Sequence, residues 1–188
     1  MTRVIAGTAK GRKLVVPQLG TRPTSDKIRE SIFNRLESWG VVGNALVLDL
    51  FAGSGALGIE ALSRGAKQAT FVDQSAAAAK VVDKNLASTG FAGKSRVLRK
   101  KATAALSQLA SGVLFDLAFL DPPYDFSEED LTSCLEALLP HLSDDAVVVV
   151  ERSAFSPEPT LPTGYQIDSD RRWGDTAAWF LSPEAESQ

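Results

Sequence analysis

Three observations predict an α/β fold for this chain, Rossmann-like, with a mostly parallel sheet covered by helices on both faces. Apolar, strand-like runs alternate with helical stretches between residues 45 and 151. One such run, 45–50, leads into Gly53-Ser54-Gly55-Ala56-Leu57-Gly58 and then a helical stretch, the strand–turn–helix setting of a ligand-binding glycine turn. A later run, 114–120, stops abruptly at Asp121-Pro122-Pro123-Tyr124. Two prolines cannot continue a central strand or enter a helix interior, so the chain must turn at the strand's carboxyl end, where open α/β sheets bind ligands.

The elements follow in order. Residues 3–7 and 12–16 read as short strands joined by Thr8-Ala9-Lys10-Gly11, a hairpin with a glycine in its turn. Residues 17–23, bounded by prolines, read as a loop. Residues 25–38 read as a helix: Ile28, Ile32, Phe33 and Leu36 share a face, Thr24 or Ser25 caps the start, and Asp26 suits the positive end of the helix dipole. Strands are then expected at 45–50, 69–72, 95–99, 115–120 and 146–151, with helices at 56–64, 75–88, 103–111 and 128–139. A proline-rich stretch, 156–162, precedes strands at 165–169 and 177–181. With no helix between them, these two pair as an antiparallel hairpin. The expected organisation is a basic hairpin and helix over 1–40, part of the same compact unit, an α/β body over 41–182, and a flexible tail over 183–188.

A chain of 188 residues suffices for one domain with a full core, and its 44% hydrophobic and 23% charged residues are those of a globular protein. A single cysteine excludes an intramolecular disulfide, and no apolar run is long enough to span a bilayer. The start lacks the apolar core of a signal peptide, so a cytoplasmic location is expected, with no membrane partner. The net charge of −3 hides an asymmetry. Residues 1–35 carry eight basic side chains against two acids, a net of +6, and the remainder carries −9. The basic segment reads as a nucleic-acid-binding arm on an acidic body, with Arg3, Lys10, Arg12, Lys13, Arg22, Lys27 and Arg29 as candidate contacts. A solvated surface is the plainer alternative. A second basic cluster lies at Lys94, Arg96, Arg99, Lys100 and Lys101.

The Asp-Pro-Pro-Tyr turn offers a carboxylate, carbonyls free of sheet pairing, and an aromatic ring. Such a set suits a planar base carrying an exocyclic amine. The nitrogen lone pair of such an amine is delocalised into the ring. Acceptors aimed at its two N–H bonds, Asp121 and the Pro122 carbonyl, favour a pyramidal nitrogen able to attack. Tyr124 would stack on the base, which must leave its helix or loop to reach the pocket. Suppose the bound ligand is S-adenosylmethionine, whose sulfonium methyl is already electrophilic. Asp49 would draw in its ammonium, the backbone N–H groups of Gly53, Ser54 and Gly55 would face its methionine portion, and Asp73 would accept from its ribose hydroxyls.

Asp49-Leu50-Phe51-Ala52-Gly53-Ser54-Gly55 together with Asp121-Pro122-Pro123-Tyr124 resembles the class I methyltransferases that modify amino groups. Arg3-Val4-Ile5-Ala6-Gly7, Gly11-Arg12-Lys13-Leu14, Arg22-Pro23-Thr24, Arg29-Glu30-Ser31-Ile32-Phe33-Asn34 and Trp173-Gly174-Asp175-Thr176 resemble, more narrowly, the RsmD family. The resemblance spans nearly the whole chain. It implies a seven-stranded sheet whose last strand is antiparallel, preceded by a small hairpin, and methylation of a guanine at N2 in 16S ribosomal RNA. Naked 16S RNA or the assembling small subunit would then be the partner, and a monomer is expected. The catalytic set is Asp121, Pro122, Pro123 and Tyr124. The cofactor set is Asp49, Phe51, Ala52, Gly53, Ser54, Gly55, Leu57, Asp73, Gln74 and Ala102, with Thr24 from the amino-terminal segment. One departure stands out. Many class I enzymes carry an acid for the adenine amine where this chain has Lys101, so that contact rests on the Ala102 backbone.

The same residues bear on other readings. A nicotinamide-binding turn would need hydride-transfer residues and a substrate domain, and neither follows. Cys134 lies on an amphipathic helical stretch and reads as a core thiol rather than the nucleophile that carbon-5 methylation of cytosine needs. His141 is the only histidine, and without a cysteine cluster no metal site is expected. A DNA amino-methyltransferase using the same pocket, on adenine or cytosine, is the alternative, with DNA as the alternative partner. No target-recognition domain is present to read a duplex. A non-catalytic nucleic-acid-binding protein is the third reading.

Overall fold

A computed structural model describes residues 1–18 and 23–185. Its central sheet has seven strands: β3 (Leu46–Asp49), β4 (Gln68–Asp73), β5 (Ser95–Arg99), β6 (Phe115–Leu120), β7 (Leu142–Ser153), β8 (Tyr165–Trp173) and β9 (Thr176–Pro183). They lie in the order β5-β4-β3-β6-β7-β9-β8. The pairs from β5 through β7 are parallel, and β9 is antiparallel to both β7 and β8. The order reverses between β3 and β6, which creates a crevice at their carboxyl ends. Asp49 ends β3 and Asp121 follows β6, so both acids sit at that crevice.

Alternate strand residues enter opposite cores, as a strand's period of two requires. Val47, Phe71, Leu117, Phe119, Val149 and Phe180 pack with α1 (Asp26–Ser38), α2 (Ala56–Ser63) and α3 (Ala76–Thr89). Leu48, Leu50, Val72, Ala118, Leu120 and Val150 pack on the other face with α4 (Ala102–Ser107) and α5 (Glu128–Leu138). Ser25, Ser75 and Ser127 cap α1, α3 and α5 by accepting from the backbone N–H three residues on.

The structure corrects several sequence expectations. The hairpin strands shrink to β1 (Thr2–Arg3) and β2 (Lys13–Leu14), because residues 5–9 pair with α2 instead of with a neighbouring strand. β7 begins at Leu142, four residues before the expected start, and β8 runs on from the expected 165–169 to Trp173. The helix expected over 103–111 ends at Ser107. The tail expected over 183–188 is ordered at its start, where Pro183 belongs to β9 and the Glu184 N–H donates to the Gly164 carbonyl. Its last three residues, 186–188, and positions 19–22 of the proline-bounded loop lie outside the described residues.

Arg29 differs most from expectation. It is fully buried, so it is no surface contact for RNA. With Ile32, Phe33 and Leu36 it forms the inward stripe of α1 at spacings of three, four and seven. Its guanidinium donates to Asp26 Oδ1 at 3.0 Å and to the Arg3 carbonyl, and lies 3.7 Å from Glu60 Oε2. Glu60, on α2, is equally buried, accepts three hydrogen bonds and forms an ion pair with Arg29. Ile5 N–H (2.9 Å) and Arg29 Nε face Oε2, while Ala6 N–H (3.1 Å) and Arg64 Nε (2.8 Å) face Oε1. Val4, Ala9 and Leu14 join the same core as α1 and α2, which makes the amino-terminal segment part of the body.

Candidate active site

Two cavities meet at the crevice. The larger, about 570 Å³, is lined by Phe51, Ala52, Gly53, Ser54, Leu57, Asp73, Gln74, Ala102 and Thr24 of the expected cofactor set. Gly53 has φ +58 and no neighbour where a Cβ would stand, as a backbone cradle requires. Asp73 organises this turn, since Oδ2 accepts from Gly53 N–H at 2.9 Å and Oδ1 from Ser75 N–H at 2.9 Å. Each oxygen keeps acceptor capacity for a ribose hydroxyl. One expectation needs correcting. The Gly53 and Gly55 amides donate inward, to Asp73 and to the Ala52 carbonyl, so Ser54 is the amide of the three left to face a ligand.

Asp49 does not line the cavity. It is buried, with Oδ2 accepting from Gly58 N–H at 3.1 Å and Oδ1 without a partner among the described residues. Burial, with Asp73 nearby, pushes its carboxyl up to about 7. A buried acceptor lacking a donor fits an ammonium or a bridging water. Across the cavity, Phe126 sets its ring edge-on against Phe51 at 5.1 Å. Lys101 is the N-cap of α4, which leaves the Ala102 N–H without an intrahelical partner. Cys134 borders this cavity but is fully buried, and its thiol is pushed up to about 11, chiefly by burial. That is an inert core thiol.

The smaller cavity, about 300 Å³, is lined by all four residues of the Asp-Pro-Pro-Tyr turn, by Thr24 and Ile28, by Glu151 and Arg152, and by Trp173-Gly174-Asp175-Thr176. Thr24, Asp121, Pro123 and Pro23 border both cavities, so a methyl donor in one would face an acceptor in the other across Asp121. Pro122 is buried, and its carbonyl has no hydrogen bond among the described residues. Tyr124 is 71% exposed, so its ring is free to receive a base. The turn is braced from β7, where Arg152 donates to the Phe126 carbonyl at 3.0 Å and to Glu128 at 2.6 Å.

Two residues at the candidate site were not singled out in the sequence. Glu151 ends the expected strand 146–151 beside Asp121. It is 7% exposed, and the Thr24 hydroxyl reaches its two oxygens at 2.8 and 2.9 Å. Burial pushes its carboxyl up to about 7, against the opposing pull of Thr24 and Arg29. Burial, and then Glu151 and Asp49, hold Asp121 well above the ordinary carboxylate range. A lone acid closing the expected apolar strand 146–151, next to the strand of the candidate residue Asp121, was the available signal. Asn85 is the second. Its amide accepts from Val15 N–H (2.8 Å) and donates to the Val15 carbonyl (2.9 Å) and the Ser54 carbonyl (2.8 Å). It ties the amino-terminal segment to the glycine turn, and nothing in a helical sequence marks such a role.

Of the expected RNA contacts, Arg3, Lys10, Arg12, Lys13 and Lys27 are exposed, Arg29 is not, and Arg22 lies outside the described residues. In the second basic cluster, Lys94, Arg96, Arg99 and Lys101 are exposed on or beside the edge strand β5.

A Rossmann-like sheet with one antiparallel strand, a glycine turn held by an acid, and an Asp-Pro-Pro-Tyr turn at the switch point define an S-adenosylmethionine-dependent methyltransferase of the amino-modifying kind. Comparison with known proteins narrows the class. Residues 2–182 match the family model described as Conserved hypothetical protein 95. Over 187 residues the chain is 38% identical to Ribosomal RNA small subunit methyltransferase D of Escherichia coli (strain K12), covering 99% of this chain and 92% of that one. It is 36% identical over 157 residues to the Haemophilus influenzae protein of the same name, covering 82% and 80%. The solved structure of yhhF from Escherichia coli superposes with a TM-score of 0.84 at 38% identity, covering 98% of this chain and 99% of that one. The chain belongs to the ribosomal RNA small subunit methyltransferase D family.

Proposed function

We propose that this enzyme methylates the exocyclic N2 amine of a guanine in 16S ribosomal RNA, acting as a monomer in the cytoplasm on naked RNA or on the assembling small subunit. The observation that carries the reading is the junction of the two cavities at Asp121, with family membership supplying the substrate class. S-adenosylmethionine supplies a methyl group already electrophilic at its sulfonium. The protein's task is therefore to place and prepare the amine. The Asp121 carboxylate and the Pro122 carbonyl accept from its two N–H bonds and stabilise the positive charge that develops on nitrogen. Tyr124 stacks on the flipped base and holds it at attack distance. Asp49 draws in the donor's ammonium, directly or through water, Asp73 holds its ribose, and the Ala102 N–H meets its adenine. Arg3, Lys10, Arg12, Lys13 and Lys27 form the basic face that meets phosphates.

The test is methyl transfer from labelled donor to small subunits lacking the modification, protein-free 16S RNA, duplex DNA and single-stranded DNA, with the product identified by nucleoside mass spectrometry. N2-methylguanine in the ribosomal samples supports the reading. Label in DNA alone refutes it. Asp121→Ala is expected to abolish transfer while the protein still binds S-adenosylhomocysteine. Normal turnover of this variant at saturating donor would remove Asp121 from the chemistry.

A further inference from the structure

We propose that Glu151 reads the ring edge of the target base and restricts transfer to guanine. This deepens the guanine-N2 reading above and rests on it.

Leu120 pairs with Val150 in the parallel β6–β7 ladder, so Asp121, just past the end of β6, and Glu151, still within β7, stand on neighbouring strands about one strand spacing apart. They differ in what they border. Asp121 lines both cavities, whereas Glu151 lines only the smaller one. An amine that reacts across the junction must lie at Asp121. The ring atom next to that amine then falls on the Glu151 side.

That ring atom distinguishes the bases. The guanine N2 amine stands between N1–H, a donor, and N3, an acceptor, and it is the N1 edge that turns to Glu151. In adenine and cytosine the neighbour of the exocyclic amine is a bare ring nitrogen, an acceptor. A carboxylate satisfies the first and opposes its lone pairs to the other two. Glu151 is built as such an acceptor. It is nearly fully buried, and the Thr24 hydroxyl has one proton to offer between its two oxygens, so acceptor capacity faces the cavity. Burial pushes the Glu151 carboxyl up to about 7, and the Thr24 hydroxyl and Arg29, on the inward face of α1, oppose that shift and favour its charged form. A closed site that needs a donor rejects analogues lacking one, because its polar group would be left unpaired.

The test loads the protein with S-adenosylhomocysteine and titrates it with guanosine monophosphate, adenosine monophosphate, and the monophosphate of 2,6-diaminopurine riboside, monitored by protein NMR. The diaminopurine keeps the 2-amine but has an acceptor at N1. Wild type is expected to prefer guanosine monophosphate over the diaminopurine by about tenfold or more. Glu151→Gln, whose amide can turn a donor to N1, is expected to bring the ratio close to one while S-adenosylhomocysteine still binds. Glu151→Asp keeps the preference with weaker affinity and serves if the glutamine variant does not fold. Equal or undetectable preference in wild type, or an unchanged ratio in Glu151→Gln, overturns the proposal. N2-methylguanine in the ribosomal assay together with no preference here refutes the role of Glu151 alone. Another methylated base in that assay removes the parent reading instead.

Discussion

Replacing Glu60 by Gln is expected to unfasten the amino-terminal segment from the body. The substitution keeps the shape and removes one acceptor. In either amide orientation the new NH₂ faces two donors, Ile5 N–H with Arg29 Nε or Ala6 N–H with Arg64 Nε. It also leaves Arg29, fully buried, with Asp26 as its remaining acidic partner among the described residues. Breaking a buried ion pair from one side costs about 3–5 kcal/mol, and no nearby solvent relieves it here. For a chain of this size each kcal/mol lowers Tm by about 2–4 °C, so a fall of roughly 6–20 °C is expected. Calorimetric melting measures it, and hydrogen exchange at the Ile5 and Ala6 amides locates it. These two amides should lose protection before the sheet does. A fall of less than about 3 °C with both amides still protected would refute the argument that Glu60 is the hub.

Three further outcomes are expected. Arg12→Ala with Lys13→Ala should weaken RNA binding and lower the slope of log affinity against log salt by up to about 1.4–1.8, the value for two lost phosphate contacts; an unchanged slope removes the basic arm from RNA binding. Asn85→Ala removes three hydrogen bonds between the amino-terminal segment, α3 and the glycine turn, and should cost about 1–4 kcal/mol in denaturant unfolding and raise KM for the donor more than it lowers kcat. The third concerns pH. Asp49 and Glu151 are each raised in the folded state to about 7, so the native protein binds more protons than the unfolded chain between roughly pH 4 and 7. Their stabilising contribution is full below about pH 4 and is lost as pH rises through 7. Unfolding of the ligand-free protein at successive pH values should show this decline, and Glu151→Gln should remove its share. Saturating S-adenosylhomocysteine should flatten it, because the ligand's ammonium favours ionised Asp49.

The order of the elements and half of the site were legible in the chain itself. Period-two runs, glycine turns and serine caps are local signals, and they located Leu46–Asp49, Phe115–Leu120 and Asp26–Ser38 to within a residue or two. Asp49 and Asp73 were readable from their places before and about twenty residues after the glycine turn, and Asp121 because two prolines end its strand. The failures share one cause. Arg29 reads as a surface cation because an arginine is seldom buried without a partner, yet Glu60, thirty-one residues on, holds it inside. The strand–helix pattern does not reveal that the side chain of Asn85 replaces a ladder partner for Val15, or that Thr24 reaches Glu151 across 127 residues. A buried polar group is tolerated only where its partners converge, and convergence belongs to the packed chain. The sequence by itself determined the parallel sheet, its switch point and the acids that end its strands. Only the tertiary structure decided which charges go inside and which carboxylate sits beside Asp121. Those outcomes depend on distances between segments far apart in the chain, which a linear pattern does not encode.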